Sequence, residues 1–278
     1  MSSSENLVKE RYRILEQVGT GGYGAVYQAF DVWKRRVVAL KQINLAGLRS
    51  HEVIEATDTF NREVQILSDL SHPHLPTIYE HFTDPEHWYL VMDFIEGRTL
   101  ETILDAAEKT ENRAFSLDEA LSIGLQLCDV LHYLHTHEPP VIFRDLKPGN
   151  IMWTSARRAY LIDFGAARYY KPGKSRDTIA FGSPGYAAPE QYGRAQTTPR
   201  SDIYSLGATL HHLLTGHDPS ENPFRFASLL SCLPGLLMSP CGPVLQTLLM
   251  RMVEMDANDR PASVEAVKQE LLYVVGYL

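Results

Sequence analysis

Apolar positions in the first third of the chain come in short runs broken by glycine, a pattern that predicts strands over about 12–18, 25–30, 36–43, 75–82 and 88–94. One interval differs. Phe60, Val64, Ile66 and Leu67 recur at helical spacing and predict a helix over about 58–69, closed by Pro73 and Pro76. Beyond residue 100 the period is mostly helical. Ser116 and Glu119 have the spacing of a capping box, and Leu121, Leu125, Cys128, Val130, Leu131 and Leu134 carry the helix they open to about 137. A short strand pair is predicted at about 150–153 and 159–162. Helices are predicted over 198–215, where Gly216 is the stop, and over 223–231, 243–255 and 262–273. The class is α+β: a small five-stranded part with one main helix, an extended hinge, and a larger, mostly helical part. Residues 9–13 read as a charged lead-in.

With 278 residues, 44% of them hydrophobic, the chain is long enough for a large core, in one domain or in two lobes sharing a cleft. A formal charge of −8, from 34 acidic against 26 basic residues, argues against nucleic acid as a partner, because counterion release needs concentrated Lys and Arg. Cys128, Cys232 and Cys241 lack metal spacing and form no even disulfide set, which fits a reducing compartment. His132, His135 and His137, and later His211 and His212, match no zinc pattern and are read as packed or dipole-complementing side chains. The opening Met1-Ser2-Ser3-Ser4 leads into charged residues rather than the apolar run of a secretory signal. Residues 271–278 are nearly all apolar but far short of the ~20 that span a bilayer, so they should finish a packed helix. A membrane enters this reading only if the natural chain continues beyond Leu278.

Candidate chemistry concentrates in Val141-Ile142-Phe143-Arg144-Asp145-Leu146-Lys147-Pro148-Gly149-Asn150. The carboxylate of Asp145 can orient a hydroxyl nucleophile, Lys147 offers a compact positive charge, and Asn150 offers a carbonyl to a hard metal ion. Pro148 stiffens the loop. Upstream, Gly19-Thr20-Gly21-Gly22-Tyr23-Gly24 lies between two predicted strands, so a glycine-rich flap or a plain hairpin turn suits it better than a dinucleotide fingerprint, which needs a helix next. Lys41 ends an otherwise apolar strand, where its charge calls for an anion, and Glu63 on the predicted helix is the candidate. Asp163-Phe164-Gly165 puts an acid at a strand end beside a permissive glycine. The hydroxyl-rich run 166–185 after it is long enough to suggest function.

Taken in this order, from about Tyr12 to Tyr273, the motifs resemble the protein kinase family, of the serine/threonine class because of Asp145-Leu146-Lys147-Pro148. Gly182-Ser183-Pro184-Gly185-Tyr186 and Glu190-Gln191-Tyr192 are similar to its bacterial, eukaryotic-like members. The resemblance implies a bilobal fold: a lead-in at 1–11 and a kinase domain at 12–278, with N-lobe 12–92, hinge 93–97 and C-lobe 98–278. It implies a cytoplasmic enzyme using ATP and Mg2+. Val18, Gly19, Gly21, Gly22 and Gly24 would cover the ATP, with Val26 and Ala39 against the adenine. Met92 would be the gatekeeper, and Asp93, Phe94 and Ile95 the adenine hinge. Lys41, held by Glu63, would take the α and β phosphates. Asp145 would orient the substrate hydroxyl, Lys147 would steady the γ-phosphate, and Asn150 and Asp163 would bind Mg2+.

The same resemblance implies that Glu190 pairs with Arg260 and that Asp202 braces the catalytic loop. Arg144 would receive a phosphate from the activation loop, with Thr178 the leading phosphosite and Ser175 a second. Ser183 would contact the catalytic residues. Two positions depart from the family pattern: Phe143 replaces the usual histidine, keeping a ring to pack near Phe164, and Gly149 replaces a larger polar residue. Substrates would be proteins carrying serine or threonine, this chain itself among the candidates. The alternative from another class is a nucleotide-binding pseudokinase scaffold, against which stands the retention of every essential charged position.

Overall fold

The computed structural model describes residues 7–21, 24–110, 114–171, 182–193, 195–232 and 241–277. Two compact units divide between Glu96 and Gly97. The first is built on a six-stranded antiparallel sheet, not the five strands expected: β1 (Leu7–Val8), β2 (Tyr12–Gly21), β3 (Gly24–Asp31), β4 (Arg36–Asn44), β5 (Ile78–Thr83) and β6 (His87–Asp93), in the order β1-β2-β3-β4-β6-β5. The extra strand comes from the supposed lead-in. Arg11 donates to both oxygens of Asp31 at 2.8 and 2.6 Å and to Glu80 at 3.0 Å, while Lys9 reaches Glu80 at 2.9 Å. Asp31 is fully buried, and the Arg11 hydrogen bonds outweigh that burial to hold its carboxyl down at about 2. The charges of residues 9–13 therefore anchor the sheet edge.

Alternation decides what each face carries. Tyr12, Ala29, Val38, Leu40, Tyr89 and Val91 pack into one core, while Ile43 and Leu90 project the other way onto Ala56, Phe60 and Val64 of helix α1 (Ser50–Asp69). Helix α1 begins eight residues before the predicted start at 58. Its first two turns bury little, with Ile54 62% exposed, so they show no apolar period; Glu52 reaching back to the Arg49 N–H at 2.8 Å caps them instead.

The second unit opens with β7 (Arg98–Thr99) and α2 (Leu100–Glu108), then α3 (Leu117–Thr136), β8 (Val141–Ile142), β9 (Ile151–Trp153), β10 (Ala159–Leu161) and β11 (Arg168–Tyr169). Helices α4 (Pro199–Thr215), α5 (Leu229–Cys232), α6 (Cys241–Met252) and α7 (Val264–Val275) complete it. The predicted capping box forms: Ser116 Oγ accepts from the Glu119 N–H at 3.2 Å, and Glu119 accepts from the Ser116 N–H at 3.1 Å. Helix α4 is buried without a break from Ser201 to Leu214, and it ends on Gly216 at φ +76°, whose N–H donates to His212. The helix predicted over 223–231 is corrected to the single turn of α5. Phe224 explains this, because at φ +66° it cannot continue a right-handed helix, and the Arg225 N–H closes a turn on the Asn222 carbonyl at 3.1 Å instead.

Candidate functional site

In the first unit the glycine-rich stretch is the end of the β2–β3 hairpin, where Gly19 pairs with Val26 and Gly21 with Gly24. Gly22 lies outside the described residues. A Cβ on Gly24 would sit 1.8 Å from the Gln42 carbonyl oxygen, so the approach of β4 by itself demands glycine there. Val18 is exposed and Val26 half-buried, while Ala39 is buried in β4. Lys41 is paired with Leu90 across β4 and β6, so its side chain shares the face that α1 covers. There its Nζ donates to both Glu63 oxygens at 2.7 Å, with Glu63 only 2% exposed. A carboxylate so deeply placed needs that ammonium. Met92 and Asp93 end β6; the Asp93 carboxylate takes the Thr77 N–H at 2.9 Å and the Tyr79 hydroxyl, so it fastens β5 to β6. Phe94 and Ile95 follow, before the unit ends at Glu96.

In the second unit the loop after β8 is fixed from below by Asp202, in the first turn of α4 and fully buried. Its Oδ1 accepts from the Arg144 N–H at 2.7 Å, and its Oδ2 accepts from the Phe143 N–H at 2.9 Å and contacts His135 Nε2 at 2.8 Å. One of these charge-assisted bonds holds Arg144 itself at φ +71°, a conformation uncommon outside glycine, and the other fixes Phe143 before it. Gln191 adds a third tie, donating to the Arg144 carbonyl at 2.8 Å. The Arg144 side chain is itself buried, with Nη1 at 3.5 Å from the Ala166 carbonyl. Thr178 and Ser175, the phosphosites expected to meet it, lie outside the described residues.

Above this base the functional groups converge. Asn150 Nδ2 donates to the Asp145 carbonyl and to Asp145 Oδ2, both at 2.8 Å. Ser183 Oγ donates to Asp145 Oδ1 at 2.8 Å and accepts from Lys147 Nζ at 2.7 Å, and Lys147 stands 3.3 Å from the carboxylate. Asp145 is thus clamped on both oxygens, with the Ser183 hydroxyl on Oδ1 and Lys147 nearest Oδ2. Asp163, at φ +64° and exposed, takes the Gly165 N–H at 3.3 Å. Phe164 meets Phe143 edge to face at 5.0 Å, so the aromatic at 143 packs where a polar ring was expected. Glycine at 149 lets the Glu101 carboxylate approach, for a Cβ there would meet its oxygen at 3.0 Å.

Glu190 and Arg260 form a bidentate pair at 2.8 and 2.9 Å, and Arg260 also donates to the carbonyls of Glu254, Arg200 and Met255. Burial would raise the Glu190 carboxyl, but the Arg260 hydrogen bonds and charge, with the Ser201 hydroxyl, hold it below its ordinary value. Sequence reasoning missed His135 and Gln191 as supports of the loop. The signal available was Asp202 itself, a charge on a helix otherwise apolar enough to be buried, which had to find donors.

The nitrogen of Asn150 is committed to Asp145, so the side chain's metal-binding atom would be its carbonyl oxygen, a hard donor as the Asp163 carboxylate is. Such a donor set suits Mg2+, which takes few protein ligands and keeps the rest for phosphate and water.

The family model for the protein kinase domain matches residues 12–272. Among known proteins, the chain is 31% identical to the serine/threonine-protein kinase pkn2 of Myxococcus xanthus, covering 98% of this chain and 33% of that protein. It is 30% identical to the probable serine/threonine-protein kinase PknB of Lactococcus lactis, over 94% and 42%, and 34% identical to PrkC of Bacillus subtilis, over 77% and 32%. The chain therefore spans between 32% and 42% of the length of these relatives.

Proposed function

The chain belongs to the protein kinase family, and from that premise we propose that it transfers the γ-phosphoryl group of ATP to serine or threonine hydroxyls of proteins. The observation that carries the reading is the clamped Asp145, held by Asn150 on one oxygen and by Ser183 on the other, with Lys147 alongside. A carboxylate so fixed can take the hydrogen bond of an incoming hydroxyl in place of the Ser183 bond and receive its proton as the hydroxyl oxygen bonds the γ-phosphorus and the bond from that phosphorus to the bridging oxygen breaks, ADP carrying that oxygen away. Lys147 neutralises charge on the transferring group. Lys41, paired with Glu63, would hold the α and β phosphates. Asn150 and Asp163 would hold Mg2+, which would supply charge neutralisation to the phosphates.

The names of the relatives support the serine/threonine class, and the Asp-Leu-Lys-Pro sequence agrees with it. Val18, Gly19, Gly21, Gly24, Val26, Ala39 and Met92 belong to ATP binding in this reading, with the backbone of 93–95 facing the adenine. A cytoplasmic setting follows from the use of ATP, and no described helix is long and apolar enough to cross a membrane. The test is transfer of labelled γ-phosphate to a Ser/Thr peptide mixture, with mass spectrometry of the chain itself to locate phosphate at Thr178. Asp145→Asn should abolish transfer; equal signal from both proteins would leave a nucleotide-binding scaffold instead.

A further inference from the structure

Ser183, which completes the clamp on Asp145, sits on a tight turn in which the N–H groups of Tyr186 and Ala187 both donate to the Ser183 carbonyl, at 3.2 and 2.9 Å. Gly185 in that turn has φ +80°, and a Cβ on it would fall 2.3 Å from the backbone of Pro219. The turn is thus pressed against the chain leaving α4. Its other anchor is a side chain: Tyr186 points into the core, where its hydroxyl lies 2.6 Å from His212 Nδ1 and 3.4 Å from Asp218 Oδ1. Tyr186 and His212 are both buried, and their rings lie 6.2 Å apart between centroids.

A phenol has one proton to give. At 2.6 Å the better acceptor is His212 Nδ1, provided the imidazole is neutral with its proton on Nε2. Once Nδ1 carries a proton it becomes a donor, and the phenol must turn to the longer Asp218 contact while a cation is held out of water. We propose that His212 is a positioning residue for phosphotransfer, holding through Tyr186 the turn that places Ser183 on Asp145 and Lys147, and that its protonation loosens this turn. The proposal rests on the kinase reading and adds to it a substrate-side support with its own acid limit.

The surroundings favour the neutral ring. Burial lowers the His212 pKa from its usual value, and His211 and His217 push the same way, against Asp218 and Asp105. Burial and Asp218 push the Tyr186 phenol far up, with smaller contributions from Glu101 and Asp105, so it remains a donor throughout the working range. The groups facing the pair are therefore His211 on α4, His217 and Asp218 on the loop after it, and Glu101 and Asp105 on α2.

The experiment measures peptide phosphorylation by the full chain from about pH 5.5 to 8.5, with kcat and KM for peptide and for ATP, in wild type, His212→Gln, His212→Leu and Tyr186→Phe. The glutamine carbonyl accepts the phenol's hydrogen bond and does not titrate. Because the buried ring titrates below the ordinary imidazole range, wild type should hold its peptide kcat/KM down to about pH 6.5 and fall only below it, by about two- to threefold at pH 5.5, whereas His212→Gln should stay within about 1.5-fold over the same range. His212→Leu and Tyr186→Phe should be about tenfold lower at every pH, with KM for ATP within about twofold of wild type. An acid limb unchanged in His212→Gln, or a folded Tyr186→Phe as active as wild type, overturns the proposal; the latter two decide it even if the leucine variant fails to fold. A wild type no more active than Asp145→Asn would instead remove the kinase reading and this inference with it.

Discussion

Replacing Asp202 by asparagine should separate the support of the loop from its chemistry. Asp202 is fully buried and accepts from two backbone N–H groups at 2.7 and 2.9 Å. Asparagine has one acceptor oxygen. Whichever way the amide turns, the N–H of Phe143 or of Arg144 faces another donor. Losing one buried charge-assisted bond costs about 1.5–3 kcal/mol, and for a unit of this size each kcal/mol lowers Tm by about 2–4 °C, so the melt should fall by roughly 3–12 °C. The catalytic effect should exceed the stability effect. Arg144 at φ +71° is held by one of those bonds and directly precedes Asp145, so relaxation there moves the carboxylate, and a displacement near 1 Å costs about 100-fold in rate.

The assay is thermal melting beside phosphotransfer kcat at a temperature where every variant is folded. Leu248→Ala is the control, because Leu248 is fully buried on α6 and its loss should cost about 2–5 kcal/mol without touching the loop. If Asp202→Asn loses no more kcat than this control, the bracing argument is wrong.

Four further outcomes are expected. Arg260→Ala leaves a buried carboxylate unpaired and should destabilise by about 3–5 kcal/mol, while Arg260→Met with Glu190→Gln should recover much of that loss; a double variant no better than the single would refute it in denaturant titrations. The lowered Glu190 pKa makes the pair's contribution full above the unfolded value near 4.5 and lost as pH falls through the folded one, so melts of wild type and Arg260→Ala should converge in acid. Tyr204 is fully buried and its hydroxyl has no hydrogen-bond partner among the described residues, so Tyr204→Phe should leave Tm unchanged or raise it, by up to about 1–3 kcal/mol of stability; a clear drop would reveal a partner. Lys41→Met should leave Glu63 buried without its ammonium and, on the proposed function, weaken ATP use, seen as a fall in kcat/KM for ATP of about 100-fold or more.

By itself the amino-acid order determined the elements with a strong local period. The five main strands, the capped helix at Ser116 and the helix ended by Gly216 were legible because alternation, caps and breakers act within a few residues of one another. Period failed where packing did not impose it, as in the first two turns of α1, and where the backbone turns left-handed, as at Phe224 before α5. The family pattern also named the site's residue types and several of their supports, Glu63 and Asp202 among them, but not His135, Gln191 or His212. That Asp202 is met by His135, 67 positions away, and Tyr186 by His212, 26 positions away, depends on which faces the folded second unit brings together. A buried charge or phenol announces only that it needs a partner; three-dimensional packing chooses which donor or acceptor is close enough to supply one.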